Sequence, residues 1–175
     1  MSILVNTFQF ITEFVWYLFS CHSSIVKQLT DHDAKLMLYK DSGERTPLHT
    51  ACLNGHLEVV RVYVQSRALL EATDANVLEV TDGSGNTPLH LACVGGNVNV
   101  VQLMVESDAS VTAANSQGEV PLHTAAQHKS VEIVELLLQK SDHKMIEMKD
   151  SRGFTALHHA AENNHTEIIR LFHQR

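Results

Sequence analysis

The chain has 175 residues, 44% of them hydrophobic, with 13 Lys and Arg against 20 Asp and Glu for a net charge of −7 with His neutral. Length and apolar content suffice for one packed domain or a short stack of repeats, while the negative charge repels phosphate backbones and excludes nucleic acid as the expected partner. The three Cys at 21, 52 and 93 are odd in number and lack CxxC spacing, which argues against a disulfide framework or a thiolate metal site and for a reducing, cytoplasmic setting.

From the N-terminus, MSILVNTFQFITEFVWYLFSC is the one strongly apolar stretch, but Asn6, Thr7, Gln9, Thr12 and Glu13 interrupt it. It falls short of the roughly 20 predominantly apolar residues that a spanning helix needs. No Lys or Arg precedes the apolar region and no clear A-x-A-like cleavage site follows, so it is also a poor secretory signal. Residues 1–40 are set apart as an apolar N-terminal segment with three readings open: signal, anchor, or an altered copy of the unit that follows.

That unit is defined by recurrence. TPLH at 46–49 returns as TPLH at 87–90, VPLH at 120–123 and TALH at 155–158, with steps of 41, 33 and 35 residues between the histidines. Each copy is followed by small residues (Ala51-Cys52, Ala92-Cys93, Ala125-Ala126, Ala160-Ala161) and then by a β-branched pair (Val59-Val60, Val100-Val101, Ile133-Val134, Ile168-Ile169). In the second copy Thr87 is suited to cap a helix, and Pro88 falls at the first helical position, where its missing N–H costs nothing. The small residues predict a first helix that a neighbour approaches closely. Gly95-Gly96 tolerate positive φ and end that helix. Val98, Val101, Leu103, Met104 and Val105 then form an apolar stripe of helical spacing, too narrow to make a core alone, so a second helix packing on the adjacent unit is predicted. DGSG at 82–85, NSQG at 115–118 and DSRG at 150–153 separate the helical pairs with β-turn chemistry.

The period, the T-P-L-H-x-A pattern and the paired helices resemble the ankyrin repeat. The resemblance covers Asp41 to the C-terminus and implies an all-α solenoid of stacked helix-turn-helix units, with repeats expected at about 41–81, 82–114, 115–149 and 150–175, the last incomplete. TEFVWYLFSCHSSIV (12–26) lines up with the same pattern at Thr12, His22, Ile25 and Val26, the basis for reading a fifth copy within residues 1–40.

Twelve His invite a metal or acid–base array, but four of them are the recurrent His49, His90, His123 and His158. Equivalent residues on stacked units sit about 8–10 Å apart, too far to share one zinc. His158 and His159 are adjacent rather than i, i+4 and leave a helix in different directions. A structural role near the turns is expected, with no metal and no cofactor. Cys52 and Cys93 are expected to be small buried hydrophobes. The sequence contains no G-x-S-x-G, P-loop, HExxH or GxGxxG, and no catalysis is predicted.

The resemblance further implies that turn tips and the exposed face of each first helix line a concave groove that binds another protein. Carried over by position, the tips are Glu44, Arg45, Ser84, Asn86, Gln117, Glu119, Arg152 and Phe154, and the helix-face residues are Leu53, Asn54, Val94, Gln127, His128, Glu162 and Asn163. Leu53 and Phe154, apolar beside polar rim residues, have the composition of an interface core. The expected function is a non-catalytic protein–protein interaction module, a scaffold or adaptor. The alternative is a cytosolic segment of a membrane channel similar to ankyrin-type transient-receptor-potential channels; the membrane enters only on that reading or if the N-terminus is an anchor.

Departures from the pattern carry their own expectations. The 41-residue step holds about eight residues beyond the 33-residue norm, and ALLEATDANVLEVTD (68–82) is expected to form an extended finger or loop. In KDSGERTPLH the Gly falls one place early, which puts the first turn's geometry in question. Lys129 and Asn164 stand where a helix-ending Gly is expected, and QKSDHKMIEMKD (139–150) carries two extra residues, so the third unit is the expected weak point.

Overall fold

The computed structural model describes residues 22–32, 37–66, 76–140 and 143–174. The signal and anchor readings of the N-terminus, the alignment of Thr12, Cys21 and residues 68–75 of the expected finger lie outside the described residues.

Ten helices and no strand occur among the described residues: α1 (Ser23–His32), α2 (Pro47–Asn54), α3 (Leu57–Gln65), α4 (Pro88–Gly95), α5 (Val98–Glu106), α6 (Pro121–Gln127), α7 (Val131–Lys140), α8 (His143–Ile146), α9 (Ala156–Glu162) and α10 (Thr166–His173). The protein is an all-α stack of antiparallel pairs, α2–α3, α4–α5, α6–α7 and α9–α10. The first helices contact in the order α2, α4, α6, α9, and the second helices in the order α3, α5, α7, α10. Helix α1 lies against α3 as α3 lies against α5, and it buries Val26 there.

Small residues let the first helices meet. Ala51, Cys52, Ala92, Cys93, Ala125, Ala126 and Ala160 are fully buried, whereas Ala161 is exposed. Leu48, Leu89 and Leu122 are fully buried beside them, each contributing about 2 kcal/mol. The second helices add Val59, Val60 and Tyr63, then Val100, Val101 and Met104, then Ile133, Val134 and Leu137, then Ile168, while Val98, Leu103 and Val105 are only partly buried. No single pair owns this core, which is why the stripe is narrow in every second helix.

The four turns share one hydrogen-bond scheme. Asp41, Asp82, Asn115 and Asp150 each use Oδ1 to accept the N–H groups two and four residues ahead, at 2.8–3.0 Å. Successive turns are joined by main-chain bonds: Gly83 N–H donates to Gly43 O at 2.9 Å, Ser116 to Ser84 at 3.0 Å and Ser151 to Gln117 at 2.9 Å. The early Gly43 does not alter the first turn, because Glu44 itself takes the left-handed conformation (φ +59) that Gly85, Gly118 and Gly153 take in the others.

The Gly95-Gly96 pair serves two separate needs. Gly96 has φ +68 and makes the left-handed turn, as Gly55 does at φ +74. Gly95 belongs to the last turn of α4, and a Cβ there would overlap the Leu53 carbonyl oxygen, so close approach rather than φ requires it. Lys129 (φ +59) and Asn164 (φ +58) hold the same left-handed position after α6 and α9, Lys129 at the greater steric cost.

The described parts of the two insertions pack. Of the expected finger, residues 77–79 form a turn that buries Val77 and Leu78 completely, and Glu79 Oε1 accepts Ser110 N–H at 2.8 Å. This part is core rather than extension, since both side chains are apolar and lie over the helical pairs. Residues 143–146 form the single-turn helix α8, which buries Met145. No helix among the described residues is long and apolar enough to cross a membrane.

Candidate functional site

The TPLH histidines are joints between pairs. His49 Nδ1 accepts Thr46 N–H at 3.0 Å, which leaves the proton of the neutral ring on Nε2, and Nε2 donates to Asn86 O at 3.0 Å. His90 repeats this with Thr87 N–H at 3.2 Å and Glu119 O at 2.9 Å. Val120 has no hydroxyl, yet its N–H still reaches His123 Nδ1 at 3.1 Å, and His123 Nε2 lies 3.1 Å from both Met148 O and Phe154 O. Met148 lies in the segment after α8, and Phe154 is the turn residue equivalent to Asn86 and Glu119. His158 keeps the local bond from Thr155 N–H at 3.2 Å but is exposed, with no following turn over it among the described residues. Burial holds the pKa of His49, His90 and His123 below the ordinary value, partly opposed at His49 and His90 by the carbonyls of Asn86 and Glu119, and reinforced at His123 by neighbouring His159.

The turn tips and first helices then frame a cavity of about 360 Å³ between the second and third turns. Seven residues assigned to the groove from sequence line it: Ser84, Asn86, Val94, Gln117, Glu119, Gln127 and His128. Asn115, Ser116 and Thr124 line it as well and were not assigned. Asn115 Nδ2 bridges the cavity wall, donating to Asn86 Oδ1 at 3.0 Å and to Glu119 Oε2 at 3.1 Å. Thr124 occupies the x position of T-P-L-H-x-A, and its Oγ1 is buried without a hydrogen-bond partner. Glu119 is not an open tip: it is 8% exposed.

The remaining assigned residues fall on either side. Glu44 and Arg45 are exposed at the first turn, where Glu44 pairs with Lys40 at 3.2 Å, and Leu53 and Asn54 close α2. Arg152, Phe154, Glu162 and Asn163 lie at the fourth turn and the end of α9, all exposed except the half-buried Phe154. The Arg152 guanidinium sits 4.5 Å from the centroid of Phe154 and 3.7 Å from Glu162 Oε2. The half-buried Phe154 ring packs on His158 with centroids 5.4 Å apart, and Asn163 Nδ2 donates to His159 O at 2.9 Å.

A buried charged cluster joins the third and fourth turns. His159 Nε2 lies 3.0 Å from Asp150 Oδ2 and 3.8 Å from Glu119 Oε1, and the His123 ring stands edge-on to it at 5.4 Å. Burial pushes the Asp150 carboxyl up, but hydrogen bonds from Phe154 N–H, His159 and Arg152 outweigh it and bring the carboxyl down to about 2. Glu119, Asp150 and His159 place three ligand-type atoms within 4.8 Å of one another, the set best able to hold a metal among the described residues. Asp150 Oδ2 is already taken up by His159 at 3.0 Å and by Arg152 Nε at 3.3 Å, so the arrangement works as a hydrogen-bonded lock around one carboxylate. Its signal in the sequence was His159 at the variable x position of its repeat, outside the TPLH pattern. Cys52 and Cys93 are free and fully buried, and burial pushes both thiols far up, away from reactivity.

Comparison with known families agrees with this geometry. A family model described as ankyrin repeats (3 copies) matches residues 66–148 and again 112–175, and one described as ankyrin repeat matches residues 43–82. No curated protein matches the chain.

Proposed function

Because the chain belongs to the ankyrin repeat family, whose general role is to bind other proteins, we propose that it is a non-catalytic scaffold or adaptor that holds a partner protein in the groove over its turns. The observation that carries this reading is the convergence of seven assigned residues on one cavity. The mechanism is rigid presentation. Main-chain bonds between turns and the histidine joints fix the spacing of the tips, so a partner meets a pre-ordered row of side chains and binding does not have to order them. Each pair adds a few contacts, and specificity resides in their combination. Residues 41–81, 82–114, 115–149 and 150–175 are the repeats on this reading, with α1 supplying the second helix of a unit upstream.

Photocrosslinking tests the groove. A photoreactive residue placed at Gln117 or Gln127 in the full chain is expected to give a discrete protein adduct in cells, while the same residue at Gln102 or Glu135, on the second-helix side, gives none. Equal adducts from both sides would discard the groove assignment.

A further inference from the structure

Resting on the groove reading above, we propose that the cavity between the second and third turns receives a single arginine side chain from an extended segment of the partner. Four observations converge on a guanidinium. Glu119 is the one acidic or basic residue of the wall apart from His128, so the wall contributes a carboxylate and no ammonium or guanidinium. An anionic partner group, such as a phosphate, would face that carboxylate without a compensating cation. The Glu119 carboxylate is also incompletely satisfied: Oε2 accepts one amide from Asn115, and Oε1 faces His159 at 3.8 Å, beyond hydrogen-bond length. A buried carboxylate in that state gains from a charge-assisted donor.

The second observation is independent of charge. Thr124 lines the same cavity, and its Oγ1 is buried without a partner, a cost that an N–H reaching it would remove. Thirdly, the exposed amides of Gln117 and Gln127 stand at the rim and offer further carbonyl oxygens. Lastly, these acceptors come from separate residues of the third turn (Gln117, Glu119) and of α6 (Thr124, Gln127) rather than from one. Five N–H groups in a planar fork suit dispersed acceptors, whereas an ammonium concentrates its donors on one atom. The cavity volume of about 360 Å³ lies at the lower end for small-ligand sites and fits one long side chain.

The test titrates the full chain with N-acetylarginine methylamide and, separately, with the isosteric uncharged N-acetylcitrulline methylamide, followed by ¹H–¹⁵N correlation spectra. The arginine probe is expected to shift the side-chain amides of Gln117, Gln127 and Asn115 and the backbone amide of Thr124 saturably, with citrulline at least about tenfold weaker. Glu119→Gln should abolish that preference. Because Glu119 also contacts Asn115 and His159, Thr124→Val serves as a second variant that breaks no existing hydrogen bond; it should fold as the parent does and bind the arginine probe several-fold more weakly. Equal response to the two probes, or full arginine binding in both variants, would overturn the arginine assignment and leave the groove reading standing. Saturable shifts confined to the second-helix face, at Gln102 and Glu135, would overturn both.

Discussion

The junction between the α4–α5 and α6–α7 pairs and the junction between α6–α7 and α9–α10 use the same backbone scheme with different side-chain chemistry. At the first, His90 ties Thr87 N–H to Glu119 O, and the space beside it is spanned by the neutral amide of Asn115. At the second, His123 plays the same part, but the adjoining space is filled by the buried Asp150–His159 pair, with Arg152 stacked on Phe154 outside it. The stack is therefore held by bonds to main-chain carbonyls, which any sequence supplies. The x position and the tip four residues after each Asp or Asn are released to vary: Leu91, Thr124 and His159 at one, Asn86, Glu119 and Phe154 at the other. Glu119 and His159 meet in the buried cluster with Asp150, whereas a cavity remains beside Asn86 and Thr124.

This contrast can be broken experimentally, most forcefully at the joints. His90→Ala strands the buried Thr87 N–H and takes one of two bonds from Glu119 O, which keeps Asn115 N–H at 2.9 Å, and is expected to cost about 3 kcal/mol in urea unfolding. His158→Ala loses only exposed bonds, those from Thr155 N–H and Thr155 Oγ1, and should cost about 1 kcal/mol or less; equal losses would refute the joint role. Acid acts on the same residues. Because burial lowers the folded-state pKa of His49, His90 and His123, the unfolded chain binds more protons once pH falls below the ordinary value of 6.5. Stability is full above that value and should decline below it by up to roughly 1.4 kcal/mol per pH unit for each histidine. Urea midpoints measured between about pH 7 and about pH 5 check this, and a flat profile would contradict it.

Two smaller effects separate the junctions. Asp150→Asn keeps the Oδ1 acceptor that Asn115 shows is sufficient for the turn, but removes the charge from the bonds to His159 and Arg152. A loss of about 2 kcal/mol at neutral pH is expected from thermal or urea melts. The depressed carboxyl stabilises the fold above the ordinary carboxylate range, and this is lost as pH falls toward about 2, so the variant should also flatten that part of the acid profile. Least in size, Lys129→Gly relieves a left-handed conformation and should stabilise the α6–α7 pair by about 1 kcal/mol, with Asn164→Gly giving less.

Much of the scaffold was legible. Recurrence at TPLH located the first helices, the Asp or Asn before each Gly located the turns, and the Lys129 and Asn164 substitutions correctly marked the left-handed positions. The site was legible as a row of positions, because equivalent residues of a repeat take equivalent places. Its chemistry was not: Glu119 looked like an exposed tip and lies buried, Phe154 looked open and is half covered by Arg152 and His158, and Thr124 gave no sign of being an unpartnered hydroxyl.

The sequence by itself determined the unit, its period, its turns and the structural use of its histidines, because these rest on local spacing and on bonds within a few residues. Only the tertiary structure decided which neighbours Glu119, Asp150 and His159 acquire, why Gly95 must lack a side chain beside Leu53, and where a cavity remains. Those outcomes depend on residues about one repeat apart meeting across a stacking interface, and the pairing of variable positions across that interface follows no local spacing rule.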